Sequence, residues 1–498
     1  MSDDKRLEGI QIRFVSGAMP DDEVRLRGVW GRERLSRLFE MDLLISRASG
    51  PYSPDELDDL LRAPCVVALG PRPKDRVHGL LERIELIDST RTVAARYLAR
   101  LVPNVWLLTL SKTSCVYQEM SIPDLVRAVL GRYGMQEGTH FEVLVRRGDK
   151  SPVREHIVQY QESDWDFLQR WLEHEGFFYW FEHGEEHEKL IVADENADAS
   201  EIDDPSIIKY RERNNLSTGG QSTVWDWNLS QRRIPARVAL LDYNYRTPNV
   251  PLLASETVDT ERGFGTVFVY GDHFKDGGEG KALAKLRAER LRATRRTFTG
   301  RTDCSRFRVG HTFELENHHD AAHDGRYLLT AIEHRVGEPI HAGPDLASQG
   351  EQRYSARFEA IPYDVEFRPA RRTPWPRIDG VIQGTIEADT SGDHAQIDGE
   401  GRYKVRLPFD VSGKKGTKAS RWVRMAQPYA GAGYGSHHPL HKGTEVLLAH
   451  VGGDPDRPII VGAVPNPRTK SPSTSANATQ SVVQTASGIR VEMEDQQS

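Results

Sequence analysis

Apolar and polar residues alternate with a period of two along much of this chain. The pattern runs through LEGIQIRFV (7–15), YLARLVPNVWLLTL (97–110) and FEVLVRR (141–147). It returns in RVALLDYNY (237–245), TVFVYGDHF (266–274), RVGHTFELEN (308–317) and RYLLTAIEHR (326–335). Stretches of this kind, bounded by Gly, Pro, Asn and Asp, predict half-buried strands and a mainly β protein.

Helical patterns are few and carry their own start signals. SPDELDDLL has Ser53 as N-cap, Pro54 in the first helical position and Glu56 three residues after the cap, a capping box. SIPDLVRAVLGRYG places Ser121 and Asp124 in the same relation. ESDWDFLQRWLEHEG begins at Ser163 with Asp166 and stops at Gly176, with Trp165, Leu168 and Leu172 at helical spacing. GEGKALAKLRAERLRATRR has a strong helix composition and a basic C-terminal end, where the helix dipole favours cations.

Two breaks interrupt these patterns. EFRPARRTPWPR (366–377) is dense in Pro and Arg, and PNPRTKSPSTSANATQ (465–480) is nearly devoid of apolar residues. They divide the chain into an N-terminal region 1–365, a linker 366–377, a small domain 378–464, a Ser/Thr/Pro-rich stretch 465–480 and a terminal segment 481–498. The small domain contains five strand patterns: VIQGTIEA, RYKVRLPFD, SRWVRMAQPY, GTEVLLAHV and RPIIVGAV. Five short strands without a helix predict a closed barrel of the OB-fold type. Its core is expected to include Trp422, Val423, Val446, Leu447, Ile459 and Ile460.

Composition narrows the class. With 38% hydrophobic residues, 28% charged residues and a formal net charge of -7, the 498-residue chain gives no general electrostatic reason to bind nucleic acid or an anionic membrane. The start, MSDDKRLEGI, lacks the apolar stretch of a secretory signal, and no apolar run approaches the ~20 residues of a membrane helix. Cys65, Cys115 and Cys304 form neither a CxxC pair nor a disulfide framework, which predicts a chain made in a reducing cytosol.

Four stretches offer candidate chemistry. In HVGGDPDRPIIVGAV, Asp454, Asp456 and Arg457 could form an acid pair with a guanidinium. Yet Gly452, Gly453, Pro455 and Pro458 supply a turn and a strand start, so a tight turn is expected. His318, His319, Asp320, His323 and Asp324, and separately His437, His438 and His441, are metal-ligand types. Neither group has the HExxH spacing that places two imidazoles on one helix face. Phe177, Phe178, Tyr179, Trp180 and Phe181 could line a pocket but read as a strand buried on both faces. KVRLPFDVSGKKGTKASRWVR is basic, but the acidic IEADTSGDHAQIDGE in the same small domain balances it, which argues against single-strand nucleic-acid binding. No catalytic, cofactor-binding or metal residue is expected, and the alternative of a His/Asp metallohydrolase is disfavoured.

EGRYKVRLPFD, WVRMAQPYAGAGYG, HPLHKGTEVLLAHVGGDPDRPIIVGAVPNP and QYQESDWDFLQRWLEHEGFFYWFE, with the linker FEAIPYDVEFRPARRTPWPRIDG, resemble the VgrG family, the spike proteins of type VI secretion systems. Phe409 stands where that family often has Trp. The resemblance implies two related β-barrel hub domains with helical insertions, then a five-stranded OB-fold neck, then the start of a trimeric triple-stranded β-helix needle. It also implies a homotrimer that sits on an Hcp tube hexamer, carries a PAAR-type tip protein and effectors, and works with baseplate and sheath components. Such a spike assembles in the cytoplasm and leaves without a signal peptide; it pierces membranes without stably spanning them and needs no cofactor. A related extracellular contractile injection system is the alternative setting. The terminal TASGIRVEMEDQQS alternates Ile489, Val491 and Met493 with charged residues, which predicts either a truncated chain or a stub of needle.

Overall fold

A computed structural model describes residues 12–496 apart from 21, 71, 73–74, 91–92, 148–150, 213–221, 338–353, 390–391 and 412–419. The chain forms two compact units. The first comprises Met1–Leu110, Ser121–Pro152 and Trp165–Thr373; the second comprises Ser111–Met120, Val153–Asp164 and Pro374–Ser498. A linear division at the Pro-rich breaks has no place for the two short segments that join the second unit.

The first unit is built on a twelve-stranded sheet. One half runs in the order Arg13–Ser16, Pro64–Ala68, Arg76–Thr90, Val93–Val102, Glu40–Arg47, Val24–Arg34. The other continues through Gly325–Gly337, Thr312–Glu316, Ile207–Tyr210, Thr223–Gln231, Arg296–Thr302 and Ser355–Pro362. Ser355–Pro362 also pairs with Gly325–Gly337, so these last six strands close into a barrel. Trp227, Phe298, Phe307, Phe313, Tyr327 and Phe358 fill its core. In the first half no ladder closes the ring among the described residues.

The two halves meet at the antiparallel ladder of Val24–Arg34 with Gly325–Gly337. Polar groups are buried at this seam. The His334 Nε2 lies 2.9 Å from Glu33 and its Nδ1 lies 2.7 Å from the Tyr354 hydroxyl. Burial pushes the imidazole pKa down, so neutral His334 donates from Nε2 to the Glu33 carboxylate and accepts from Tyr354 at Nδ1. Burial alone would raise the Glu33 pKa; the His334 hydrogen bond and the Arg308 charge outweigh it and bring the carboxyl down to about 2.

The helices obey their sequence signals. Pro54–Arg62 has the complete Ser53/Glu56 capping box, and Ser121 caps Ile122–Arg132. Gly277–Ala293 starts on the side chain of Asp276 and packs against the three-stranded sheet Leu252–Thr257, Arg237–Asp242, Thr266–Tyr270. Asp164–Glu175 is followed by Gly176 at φ 73°.

Two strand expectations are corrected. YLARLVPNVWLLTL is a strand only as far as Val102; Pro103 cannot donate to a ladder, and Asn104–Thr109 folds as a 3-10 helix. FEVLVRR is a strand only over Phe141–Val143, after which Asp194 takes the backbone N–H groups of Arg146 and Arg147.

The second unit is a closed five-stranded barrel, Val381–Glu387, Tyr403–Arg406, Ser420–Met425, Pro458–Ala463, Glu445–His450. All five expected strands form, with Ser420–Met425 and Pro458–Ala463 parallel, as in an OB-fold. Its core holds Ile386, Tyr403, Val405, Leu407, Val423, Val446, Leu448 and Ile460. The expected core list is therefore half right. Trp422, Leu447 and Ile459 are only half-buried, because alternate side chains of a strand point to opposite faces and an apolar pair cannot enter the same core. Trp422 instead carries the Lys404 ammonium over its ring, 4.9 Å from the centroid.

A two-stranded ribbon, Lys112–Tyr117 with Ile157–Ser163, packs against this barrel and inserts Val116 into its core. The C-terminal segment is a hairpin of Gln480–Gln484 with Arg490–Glu494, with Val483 opposite Val491. Its apolar face is open to solvent: Val483, Ile489, Val491 and Met493 are 51–68% exposed.

Candidate functional site

Each stretch with candidate chemistry resolves into a local geometry. The Asp454–Arg457 knot is a short 3-10 turn over Val451–Gly453 that brings Glu445–His450 back to Pro458–Ala463. Gly452 and Gly453 occupy left-handed backbone at φ 66° and 75°, a conformation that glycine adopts without steric cost. The Asp454 carboxylate accepts the Asp456 N–H at 2.9 Å and pairs with Arg457 at 3.4 Å. Asp456 reaches beyond the turn: its buried carboxylate accepts the backbone N–H of Val158 at 2.7 Å, and its carbonyl accepts from the Arg421 guanidinium. The knot is a turn that also staples the 157–163 strand to the barrel, a role that no local sequence signal carries.

His318, His319 and His323 lie together, with ring centroids 4.1 and 4.6 Å from His318. They stack rather than converge on a point. The His318 Nδ1 accepts the Asp320 N–H at 3.1 Å, and the His323 Nδ1 accepts the Trp227 indole N–H at 3.2 Å. Asp320 caps the short helix Ala321–His323, and Asp324 accepts the His318 N–H at 2.9 Å. These acids therefore serve the loop backbone. Burial and the neighbouring imidazoles keep the His318 pKa below its usual value.

In the second unit His437 contacts the Tyr403 hydroxyl at 3.1 Å and Gln427 at 3.2 Å, while His438 contacts Ser436 at 3.3 Å. His441 packs on His394. The three expected partners face different neighbours. The middle of the basic stretch, residues 412–419, lies outside the described residues.

Phe178–His183 forms a strand paired with Glu188–Ala193 and, together with Phe177, buries its five aromatics. The Tyr179 hydroxyl donates to Gln169 at 2.7 Å, so the run has a core role with its one phenol satisfied.

A second set of charged residues escaped sequence reasoning. The irregular segment 363–373 is clamped by buried polar groups of the first unit. The Asn196 side chain donates to the carbonyls of Tyr363 and Val365 and accepts the Phe367 N–H at 3.0 Å. Arg368 pairs with Glu289 at 2.8 Å and donates to the Asp194 carbonyl at 2.8 Å. Glu173, 2% exposed, accepts the N–H groups of Arg372 and Thr373 at 2.7 and 2.9 Å. Asp272 holds Arg287 at 3.0 Å and also Arg371. Pro and Arg density reads as a break because such a segment lacks a repeating ladder; its order comes from distant carboxylates and carbonyls.

Comparison with known proteins adds what geometry alone cannot. Residues 32–340 match the family described as phage tail baseplate hub (GPD), and residues 393–464 match the type VI secretion system/phage-baseplate injector OB domain. The type VI secretion system spike protein VgrG1c of Pseudomonas aeruginosa is 28% identical over 478 residues, covering 95% of this chain and 64% of the relative. The actin cross-linking toxin VgrG1 of Vibrio cholerae is 29% identical over 459 residues, covering 89% of this chain and 40% of the toxin. The chain thus spans less than two thirds of either relative's length. Among solved structures, the E. coli c3393 protein, described as a type VI secretion component similar to the T4 bacteriophage tail proteins gp27 and gp5, superposes with a TM-score of 0.66 at 23% identity. The match covers 91% of this chain and all of that one. With a hub match over more than half its length, the chain belongs to the phage tail baseplate hub (GPD) family, and over 95% of its length it is similar to a VgrG spike protein.

Proposed function

We propose that three copies of this chain form a non-enzymatic puncturing spike at the tip of a type VI secretion tube. The observation that carries this reading is the succession, in one chain, of a baseplate-hub match and an injector OB match, followed by a hairpin with an unburied apolar face. A lone two-stranded hairpin is marginal in water. In the trimer, the Val483, Ile489, Val491 and Met493 faces of three copies meet on a common axis and begin a triple-stranded β-helix.

In this reading residues 1–365 serve as the hub, 366–377 as the connection, 378–464 as the neck and 481–498 as the start of the needle. The hub receives an Hcp tube hexamer, and the needle carries a PAAR-type tip protein and effectors. Assembly takes place in the cytoplasm, on baseplate and sheath components, and contraction expels the spike without a signal peptide. No catalytic residue takes part. The packing of the His318 cluster supports this, since its acids cap the loop and two of its imidazoles spend Nδ1 on N–H donors.

Light scattering of the purified chain tests the proposal. A mass three times the monomer, with an elongated particle in electron micrographs, is the expected result. A monomer at micromolar concentration refutes it.

A further inference from the structure

The first unit contains a cavity of about 460 Å³ whose lining is strongly unbalanced in charge: six arginines and one glutamate. Its size falls in the ~300–1,000 Å³ range of small-molecule sites. Two of the arginines are already neutralised. Arg34 makes a bidentate pair with Glu359, both bonds at 3.1 Å, and Arg368 is spent on Glu289. Arg37 reaches Glu173 at 3.7 Å. The guanidinium groups of Arg232, Arg290 and Arg372 have no anionic partner among the described residues. Three guanidinium groups around one space repel one another unless an anion sits between them.

A second observation points the same way. Ser36 also lines this cavity; it is 5% exposed, and its hydroxyl has no hydrogen-bond partner among the described residues. Its backbone is left-handed at φ 58°, held there by its own N–H donating to the Tyr179 carbonyl and its carbonyl accepting from Gln169. A buried hydroxyl without a partner costs free energy, and persists where a ligand or water completes it. Thr297 and Thr299 add further hydroxyls to the wall, while that of Thr330 donates to the Glu359 carbonyl. Burial and the neighbouring Arg371 depress the Arg290 pKa, against the opposing pull of the Asp272 and Glu173 carboxylates.

We propose that this cavity binds a phosphate-type oxyanion, held between Arg232, Arg290 and Arg372 with hydroxyl donors from its wall. Guanidinium groups match tetrahedral phosphate oxygens with paired N–H donors, and hydroxyls supply the remaining bonds. Three unneutralised cations call for more than the single charge of a carboxylate, and the volume accepts a diphosphate.

Isothermal titration of the full chain with inorganic phosphate, inorganic pyrophosphate, a nucleoside triphosphate and citrate, at constant ionic strength set with chloride, tests the site. Pyrophosphate is expected to give a saturable isotherm that weakens tenfold or more in R232Q and in R372Q. Both positions are exposed, so these variants keep the fold, which circular dichroism checks. Tighter binding of the triphosphate than of pyrophosphate assigns the oxyanion to an organic ligand, and the reverse assigns it to a free inorganic anion; both support the proposal. Heats no larger than the chloride control, equal affinity in wild type and both variants, or citrate binding as tightly as pyrophosphate overturns it.

Discussion

Adjacent leucines in the barrel strand Glu445–His450 give a sharp test of its architecture. Leu448 is fully buried in the barrel core, whereas Leu447 is half-buried on the opposite face. Truncating Leu448 to Ala removes three carbons from a site with no solvent access. At ~0.8 kcal/mol per buried methylene the transfer loss is about 2.4 kcal/mol. The cavity left behind brings the expected cost to about 3–4 kcal/mol, within the ~2–5 kcal/mol typical of buried Leu→Ala changes. Leu447→Ala should cost about 1 kcal/mol or less, because part of that side chain already meets water. A third variant sharpens the argument. A Cβ on Gly384 would lie 3.0 Å from the Leu448 Cδ1 and 2.7 Å from the Val405 Cγ1. Gly384→Ala alone should therefore destabilise by overpacking, about 1–3 kcal/mol. In the Leu448→Ala background the new methyl enters the vacated space, so the double variant should be more stable than the sum of the single effects. Urea unfolding followed by tryptophan fluorescence reads all four proteins. Equal losses for Leu447→Ala and Leu448→Ala, or strict additivity with Gly384→Ala, would refute the inward placement of Leu448.

Asp456→Ala should destabilise the second unit by about 1–3 kcal/mol, because it leaves the buried Val158 N–H without its carboxylate; denaturant midpoints check this. Glu173→Ala strands the Arg372 and Thr373 N–H groups, and faster proteolysis around residue 372 is the expected sign. The second unit should also weaken in acid. Burial, with Arg421, His450 and Lys404 nearby, pushes the His156 pKa well below its usual value; burial and Arg421 bring His450 to about 4, against the opposing pull of Asp454. Both imidazoles are neutral when folded, so the unfolded chain binds more protons between about pH 6.5 and 4. Stability is thus fully present above pH 6.5 and declines as pH falls through that window, and His450→Gln should flatten the melting-temperature profile. Deleting residues 481–498 should leave a trimer by light scattering while removing the spike tip in micrographs; a monomer would place the main interface in the hairpin. Joint replacement of His318, His319 and His323 by Ala should leave effector delivery intact.

Local rules carried the element types. Ser53 and Ser121 cap their helices as the spacing predicts, and all five barrel strands stand where the alternation places them. Local rules failed where two choices look alike along the chain. The pair Leu447–Leu448 is equally apolar, and only closure of the barrel decides which side chain points inward. Pro103 sits inside a run that alternates on both sides of it, so the 3-10 helix after it was hidden. The partners of Asp456, Glu173 and Arg368 lie 298, 199 and 79 positions away for the contacts to Val158, Arg372 and Glu289, beyond any window over which periodicity operates. The three cavity arginines without an anionic partner among the described residues, Arg232, Arg290 and Arg372, come from three distant segments.

The ribbon Lys112–Tyr117 with Ile157–Ser163, which supplies Val116 to the barrel core, bears on how such genes exchange parts. A recombination joint at the Pro-rich linker delivers every barrel strand yet leaves behind the ribbon that packs against them. The incoming barrel must accept a foreign side chain in its core, a foreign N–H at Asp456 and a foreign one at Asp410, which binds the Val116 N–H at 3.3 Å. Tips are therefore not interchangeable cassettes. A productive swap needs matched residues near 116 and 158, and hybrids that ignore them should express poorly while each parent folds well.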